Sequence, residues 1–307
     1  MTPLGDQRDD YLRIRRALGY KLARTEKLLV QFISFLEERG ERVITTENTL
    51  AWVTLPGGSD SWRAHRLSAV RGFAAYLHAL DDAHQVPPAD LCPNRPARAT
   101  PYLYSEHEIA ALMAATVILR GRLRQATYRT LIGLLAVTGI RPAEALALDR
   151  QDVDLRHGVL HVRAGKQHKQ REVPLHHSTV SALRQYARLR DARFPAPSTP
   201  AFFIGARGRR MGRGELNQTF TTLVRQAGLD GRGARARPRP YDLRHAFAVR
   251  TLLDWHRAGA DIDRRMPLLS TYLGHADPAS TYWYLEAVPE LLELISRRLE
   301  QLPGALS

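Results

Sequence analysis

The chain has 307 residues, 44% of them hydrophobic and 25% charged, with a formal net charge of +14. These proportions are ordinary for a globular protein, here one long enough for two cores. A single cysteine, Cys92, excludes an internal disulfide and a cysteine-rich zinc site, and no apolar run reaches the roughly 18 residues of a membrane span.

In chain order, the apolar spacing predicts helices first. Tyr11, Ile14 and Leu18 are spaced for one helical face, and Leu28, Leu29, Phe32, Phe35 and Leu36 form a second stripe ended by Gly40. Thr45 or Thr46 is placed to cap a short helix holding Leu50, Ala51 and Val53, which Pro56-Gly57-Gly58-Ser59 breaks. Leu67, Val70, Phe73, Ala74 and Leu77 define a fourth helix, with Arg63, Arg66 and Arg71 in its N-terminal half. Those arginines read equally as a basic end facing a polyanion or as solvated charges. Residues 1–85 are thus expected to form a helical domain. Residues 86–102, with Pro87, Pro88, Pro93, Pro96 and Pro101, have the composition of a linker.

The second domain is expected over residues 103–307. Ser105 and Glu108 make a capping box before Ile109, Leu112 and Met113. The run Leu131, Ile132, Leu134, Leu135 and Val137 predicts a core helix stopped at Gly139. Val159–Val162 and Arg171–Leu175 read as two short strands, with Gly165 to Gln170 as the turn between them. Further helices are expected around 178–192, 215–227, 242–255, 262–272 and 288–300. The expected fold class is mainly α with a small β-sheet.

The charge is uneven. Residues 1–100 carry 14 Lys/Arg and 12 Asp/Glu, which leaves 31 against 19 for residues 101–307. A basic half beside a near-neutral half points to a polyanion, most often nucleic acid; a plain solubility charge is the other reading. Arg207-Gly208-Arg209-Arg210 and the stretch Arg232 to Arg239 are basic loops that either track phosphates or stay solvated. Residues Met1 to Asp6 lack the basic and apolar regions of a secretory signal, so a cytoplasmic location is expected, or a nuclear one in a host with a nucleus.

Chemistry concentrates in the second half. Arg141 stands in Thr138-Gly139-Ile140-Arg141-Pro142-Ala143-Glu144, and Lys166 in Gly165-Lys166-Gln167-His168-Lys169-Gln170-Arg171-Glu172-Val173-Pro174-Leu175. Arg244 stands in Tyr241-Asp242-Leu243-Arg244-His245-Ala246, and His275 follows Leu273-Gly274, nine residues before Tyr284. A phosphodiester is a poor electrophile because its oxygens are negative, and arginines neutralise them two at a time. Both arginines sit in apolar surroundings and need an anionic partner. A structural ion pair, with Glu144 or Asp242, would satisfy them as well as a phosphate would. A lysine on a hairpin turn can reach into a bound substrate and protonate a leaving oxygen. A tyrosine phenol makes a covalent phosphodiester that stays reactive enough to be reversed. Thr281-Tyr282-Trp283-Tyr284 offers two candidates, unless these aromatics are simply core.

This order of residues, in these local contexts, resembles the tyrosine recombinase (phage integrase) family over nearly the whole chain. The resemblance implies a site-specific DNA recombinase that cuts and rejoins strands through a 3′-phosphotyrosine, with a helical core-binding domain and a mixed, mainly helical catalytic domain. It implies Arg141 and Arg244 as the phosphate clamp, Lys166 as the proton donor and His275 as a hydrogen-bond donor to the scissile phosphate. Tyr284, at the family spacing, is the implied nucleophile, with Tyr282 packing nearby. Glu144 would orient Arg141. Lys169 and Arg171 read as backbone contacts or solvated turn charges. Tyr241 takes the place of the family's first histidine. A phenol near its usual pKa is a poor base at neutral pH but a good hydrogen-bond donor. The family assembles as a homotetramer on double-stranded DNA, in which the terminal helix, Val288 to Leu299 here, docks on a neighbour; that helix could instead cover its own core. No cofactor or metal is expected. His157, His161, His168, His176 and His177 lack zinc spacing. A type IB topoisomerase and a non-catalytic DNA-binding protein on the same scaffold are the alternatives.

Overall fold

A computed structural model describes residues 3–92, 101–163, 170–196, 198–229, 237–275 and 281–284. Contacts divide the chain into two units, Met1–Ala99 and Thr100–Ser307.

The first unit packs α1 (Pro3–Ala17), α2 (Ala23–Glu38), α3 (Thr46–Val53) and α4 (Asp60–His78). Thr45, not Thr46, caps α3, in a reciprocal box with Asn48, and Ser59 caps α4. The core is the meeting of Leu29, Phe32 and Leu36 with Val53, Val70, Phe73 and Leu77. The expected stripe of α1 is corrected: Leu4, Tyr11 and Leu12 are buried, whereas Ile14 is 43% and Leu18 68% exposed. Leu18 lies past the end of the helix, and Leu4 at its start, together with Leu12 at i+8, fixes the inward face. After α4 the chain stays on its own unit. Arg71 Nε donates to the Pro87 carbonyl at 2.6 Å, and Leu91 and Cys92 pack on the core.

The second unit is built on α6 (Arg122–Thr138), which contacts α5 (Glu106–Ala115), α8 (His177–Arg193) and α10 (Asp242–Arg257). The Ser105–Glu108 box starts α5 as expected. Leu131, Ile132, Leu134 and Leu135 of α6 are buried, but Val137 is exposed, because it falls off the inward stripe. Between α6 and α8 lie α7 (Pro142–Ala147) and an antiparallel sheet of β1 (Val153–Asp154), β2 (Val159–Val162) and β3 (Arg171–Pro174), in that order. Leu160 pairs with Val153 on one side and Val173 on the other. Neither α7 nor β1 was expected; both are shorter than a periodicity window. Then come α9 (Arg213–Gln226), α10, α11 (Ile262–Leu273) and a helical turn at 281–284. A satellite core of Ala248, Val249, Leu252, Met266, Leu269, Leu273 and Tyr284 joins α10, α11 and that turn. The expected helix at 288–300 lies outside the described residues. No helix among the described residues is long and apolar enough to cross a membrane.

Candidate active site

The site starts where α6 stops. Gly139 caps that helix with a left-handed backbone (φ +61°), and a Cβ there would lie 2.4 Å from Phe247 of α10, so the position is closed to a side chain on both counts. Two residues on, Arg141 is extended and forms the N-cap of α7, with Pro142 at the first helical position. Glu144, at the third position, reaches back to accept the Arg141 backbone N–H at 2.9 Å. The same carboxylate accepts Arg141 Nη1 at 2.8 Å, while Arg141 Nη2 donates to the Gly274 carbonyl at 2.8 Å.

Glu144 also binds a second arginine. Arg171 of β3 donates through Nη2 at 2.7 Å and Nη1 at 3.1 Å, and its Nε donates to the Tyr272 carbonyl at 2.8 Å. Burial raises the Glu144 pKa, but the two arginines outweigh it and hold the carboxyl at about 2. Arg171, expected as a backbone contact or a solvated turn charge, is instead a half-buried strut whose guanidinium is committed to Glu144 and Tyr272. The missed signal was the strand period: Arg171 lies two residues before the fully buried Val173, on the inward face. Gly274 (φ +69°) follows from the same packing, since a Cβ there would meet Arg171 Nη1 at 2.8 Å.

Arg244 of α10 has no exposed surface. Its Nη1 donates to the Gly139 carbonyl at 2.8 Å and its Nη2 to the Leu273 carbonyl at 2.7 Å. The suspected ion pair with Asp242 is not formed; Asp242 instead accepts from Arg239, Nη2 to Oδ1 at 3.0 Å. Among the described residues no carboxylate pairs with Arg244. Burial, then the charge of Arg141, pull its pKa down to about 10. At Arg141 burial also lowers the pKa, but Glu144 and the neighbouring Tyr241 phenol outweigh it and the net shift is upward. The two arginines therefore hold neighbouring carbonyls, Leu273 and Gly274, of one turn. That turn ends in His275, whose Nδ1 lies 2.6 Å from Thr281 Oγ1.

Tyr284 is 2% exposed, and its hydroxyl lies 2.9 Å from His245 Nδ1. Tyr282, expected either to pack against the body or to support the site, is 41% exposed and so does not pack fully against the body. Tyr241 is 39% exposed, with its ring edge-on to His245 at 5.1 Å. The fold thus gathers Arg141, Tyr241, Arg244, His275 and Tyr284, and adds Glu144, Arg171 and His245, which sequence reasoning did not assign to the site or gave only a supporting role. Lys166 lies outside the described residues, in the connection between β2 and β3.

Other candidates have partners within the protein. Arg210 donates to the Leu146 carbonyl at 2.8 Å and pairs with Asp149, so it fastens a loop. In the first unit Arg66 lies over the Trp52 ring at 5.2 Å, and Arg63 pairs with Asp60 at 3.4 Å. His157 bonds Asp154 at 2.7 Å, and His176 and His177 lie ring to ring at 3.9 Å. Among the described residues no three His, Cys, Asp or Glu side chains group as metal ligands.

Comparison with known proteins agrees with this architecture. The sequence model of the phage integrase family matches residues 103–290. A proposed integrase/recombinase of Sinorhizobium fredii, y4rB, is 44% identical over 299 residues, covering 95% of each chain. Tyrosine recombinase XerC of Mycobacterium leprae is 30% identical over 289 residues, 87% of this chain and 88% of that one. Among solved structures, the Tn1549 transposon integrase in complex with transposon right end DNA superposes with a TM-score of 0.67 at 16% identity, covering 97% of this chain and 99% of that chain. The XerA recombinase does so with a TM-score of 0.53 at 23% identity, covering 96% and 98%. The chain belongs to the phage integrase family, the tyrosine site-specific recombinases.

Proposed function

We propose that the protein binds double-stranded DNA as a homotetramer and exchanges strands through a 3′-phosphotyrosine, with Arg141, Lys166, Tyr241, Arg244, His275 and Tyr284 as the catalytic set. The observation that carries this reading is Arg244. A guanidinium out of water, held by two backbone carbonyls and paired with no described carboxylate, is costly unless an anion completes it. A phosphate is such an anion, and Arg141 stands across the same turn to share it.

Each step has an owner. The arginines neutralise the non-bridging oxygens as charge grows on the pentacoordinate phosphorus. Their planar forks contact two oxygens at once, which an ammonium cannot do. His275, oriented through Nδ1 by Thr281, donates to the phosphate from its other ring nitrogen. Tyr241, beside Arg141, donates as a phenol at the place where the family has a histidine. The Tyr284 oxygen attacks, the bond to the 5′ oxygen breaks, and Lys166 supplies that oxygen with its proton. The bond energy stays in the phosphotyrosine, so rejoining needs no nucleotide. The location expected from composition is the cytoplasm. The small helical first unit, Met1–Ala99, is read as a second DNA-binding unit.

The test begins with a DNA site selected from random duplexes on the wild-type protein and rebuilt as a nicked suicide substrate. Wild type forms a covalent adduct in chelator without ATP, and the adduct maps to Tyr284. Tyr284→Phe keeps DNA affinity and forms none, whereas Tyr282→Phe still forms it. An adduct on Tyr284→Phe, or a strict need for a divalent ion, overturns the assignment. A protein that relaxes supercoiled DNA without joining two sites overturns recombination and leaves the cleavage chemistry standing.

A further inference from the structure

His245 lies outside the catalytic set above, yet it is the group the structure places on the Tyr284 hydroxyl, Nδ1 to oxygen at 2.9 Å. Three rings fix its plane. Tyr241 packs edge-on at 5.1 Å and Trp283 edge-on at 5.8 Å, while Tyr284 lies tilted at 5.5 Å. The helix explains the arrangement. His245 of α10 is four residues after Tyr241, the N-cap of that helix, whose φ and ψ are helical, so the two share a face, and that face meets the turn at 281–284. Arg244, one residue earlier, points instead to the carbonyls of Gly139 and Leu273. One helical turn therefore presents a phosphate-binding group and an imidazole in different directions, toward the two ends of the bond that would form.

We propose that His245 is the general base of the cleavage step, taking the proton of Tyr284 as it attacks. The inference rests on Tyr284 being the nucleophile. The chemistry requires some acceptor. A phenol with a pKa near 10 holds its proton at neutral pH and is a weak nucleophile until it loses it. Tyr241, where the family has a histidine, is itself a phenol and a poor acceptor. A neutral imidazole protonated on Nε2 presents Nδ1 as a lone pair, the form that accepts from a hydroxyl at this distance. In the balanced step, the Tyr284 oxygen bonds to phosphorus and its proton passes to His245 Nδ1, giving an imidazolium. The bond from phosphorus to the 5′ oxygen breaks, and that oxygen takes a proton from Lys166. Rejoining runs the same transfers backward: the 5′ hydroxyl attacks, its proton goes to the lysine, and the imidazolium returns a proton to the departing phenol.

The experiment measures single-turnover adduct formation on the nicked suicide duplex. The variants are His245→Ala and His245→Gln, each with ordinary tyrosine or with fluorotyrosine at position 284. Melting curves and DNA-affinity measurements accompany each variant. The expected result is a loss of about 10²-fold for both His245 variants, the usual scale for a general base, with DNA affinity unchanged. The more acidic fluorinated phenol should recover most of that loss while changing the wild-type rate little. Glutamine accepts a hydrogen bond but takes no proton, so full activity in His245→Gln would reduce His245 to a positioning contact and overturn the proposal. So would a loss that fluorination leaves untouched, or a wild-type rate in His245→Ala. A wild-type adduct at a residue other than Tyr284 would overturn the nucleophile assignment and this inference together. An adduct at Tyr284 with an indifferent His245 would overturn this inference alone.

Discussion

Replacing Glu144 with glutamine isolates the group that orients Arg141. The carboxylate accepts from the Arg141 backbone and guanidinium and from both terminal nitrogens of Arg171, and its side chain is 10% exposed. Its pKa falls from the ordinary 4.5 to about 2 on folding. That difference corresponds to about 3 kcal/mol in favour of the folded state at neutral pH. Because the folded value is the lower one, this stabilisation is complete above about pH 4.5 and is lost as the pH falls through about 2. Glu144→Gln keeps the shape but removes the charge, leaving two guanidinium groups facing one neutral amide. It should lower the stability of the second unit by about 3 kcal/mol at pH 7, roughly 6–12 °C in Tm for a unit of this size. Urea unfolding of wild type and variant, followed from pH 7 down to pH 3, checks the magnitude and its sign. The gap should be constant near neutrality and narrow toward acid. A variant as stable as wild type at pH 7, or a gap that widens as the pH falls, refutes the reasoning.

Three other outcomes are expected. Arg244→Ala and Arg244→Lys should each slow adduct formation at least about 10²-fold, since a single ammonium nitrogen cannot stand in for the two separate nitrogens that reach the Gly139 and Leu273 carbonyls and still offer a planar fork to a phosphate; near-normal cleavage by the lysine variant would make Arg244 a structural residue. Gly139→Ala should destabilise by about 1–3 kcal/mol through its clash with Phe247 and its positive φ, while Gly214→Ala on α9, with open space at its Cβ, should be neutral or stabilising; equal melting shifts would deny the close approach. A substrate with sulfur at the bridging 5′ position should restore cleavage by Lys166→Ala, because a thiolate leaves without a proton, and should leave Tyr241→Phe unrescued; the reverse pattern would exchange their roles.

The sequence by itself determined the helices with long apolar stripes, the Ser105 cap, the two strands around Lys166 and the family to which the chain belongs. These are legible because periodicity, caps and short motifs are local properties of the chain. It also put Arg141, Arg244, His275 and Tyr284 on one list, through their neighbours and their order. What it left open was the partner of each charged group. Arg141 was offered a salt bridge or a phosphate, and the tertiary structure gave it Glu144 while leaving its other nitrogen on Gly274. Arg244 was offered Asp242, two residues away, and found Gly139 and Leu273, 105 and 29 residues distant in the chain. Arg171 and His245 acquired meaning only when β3 and α10 were brought against the turn before His275 and the turn carrying Tyr284. A buried charge takes whichever acceptor the packing delivers, and packing is decided by contacts between residues far apart in the chain.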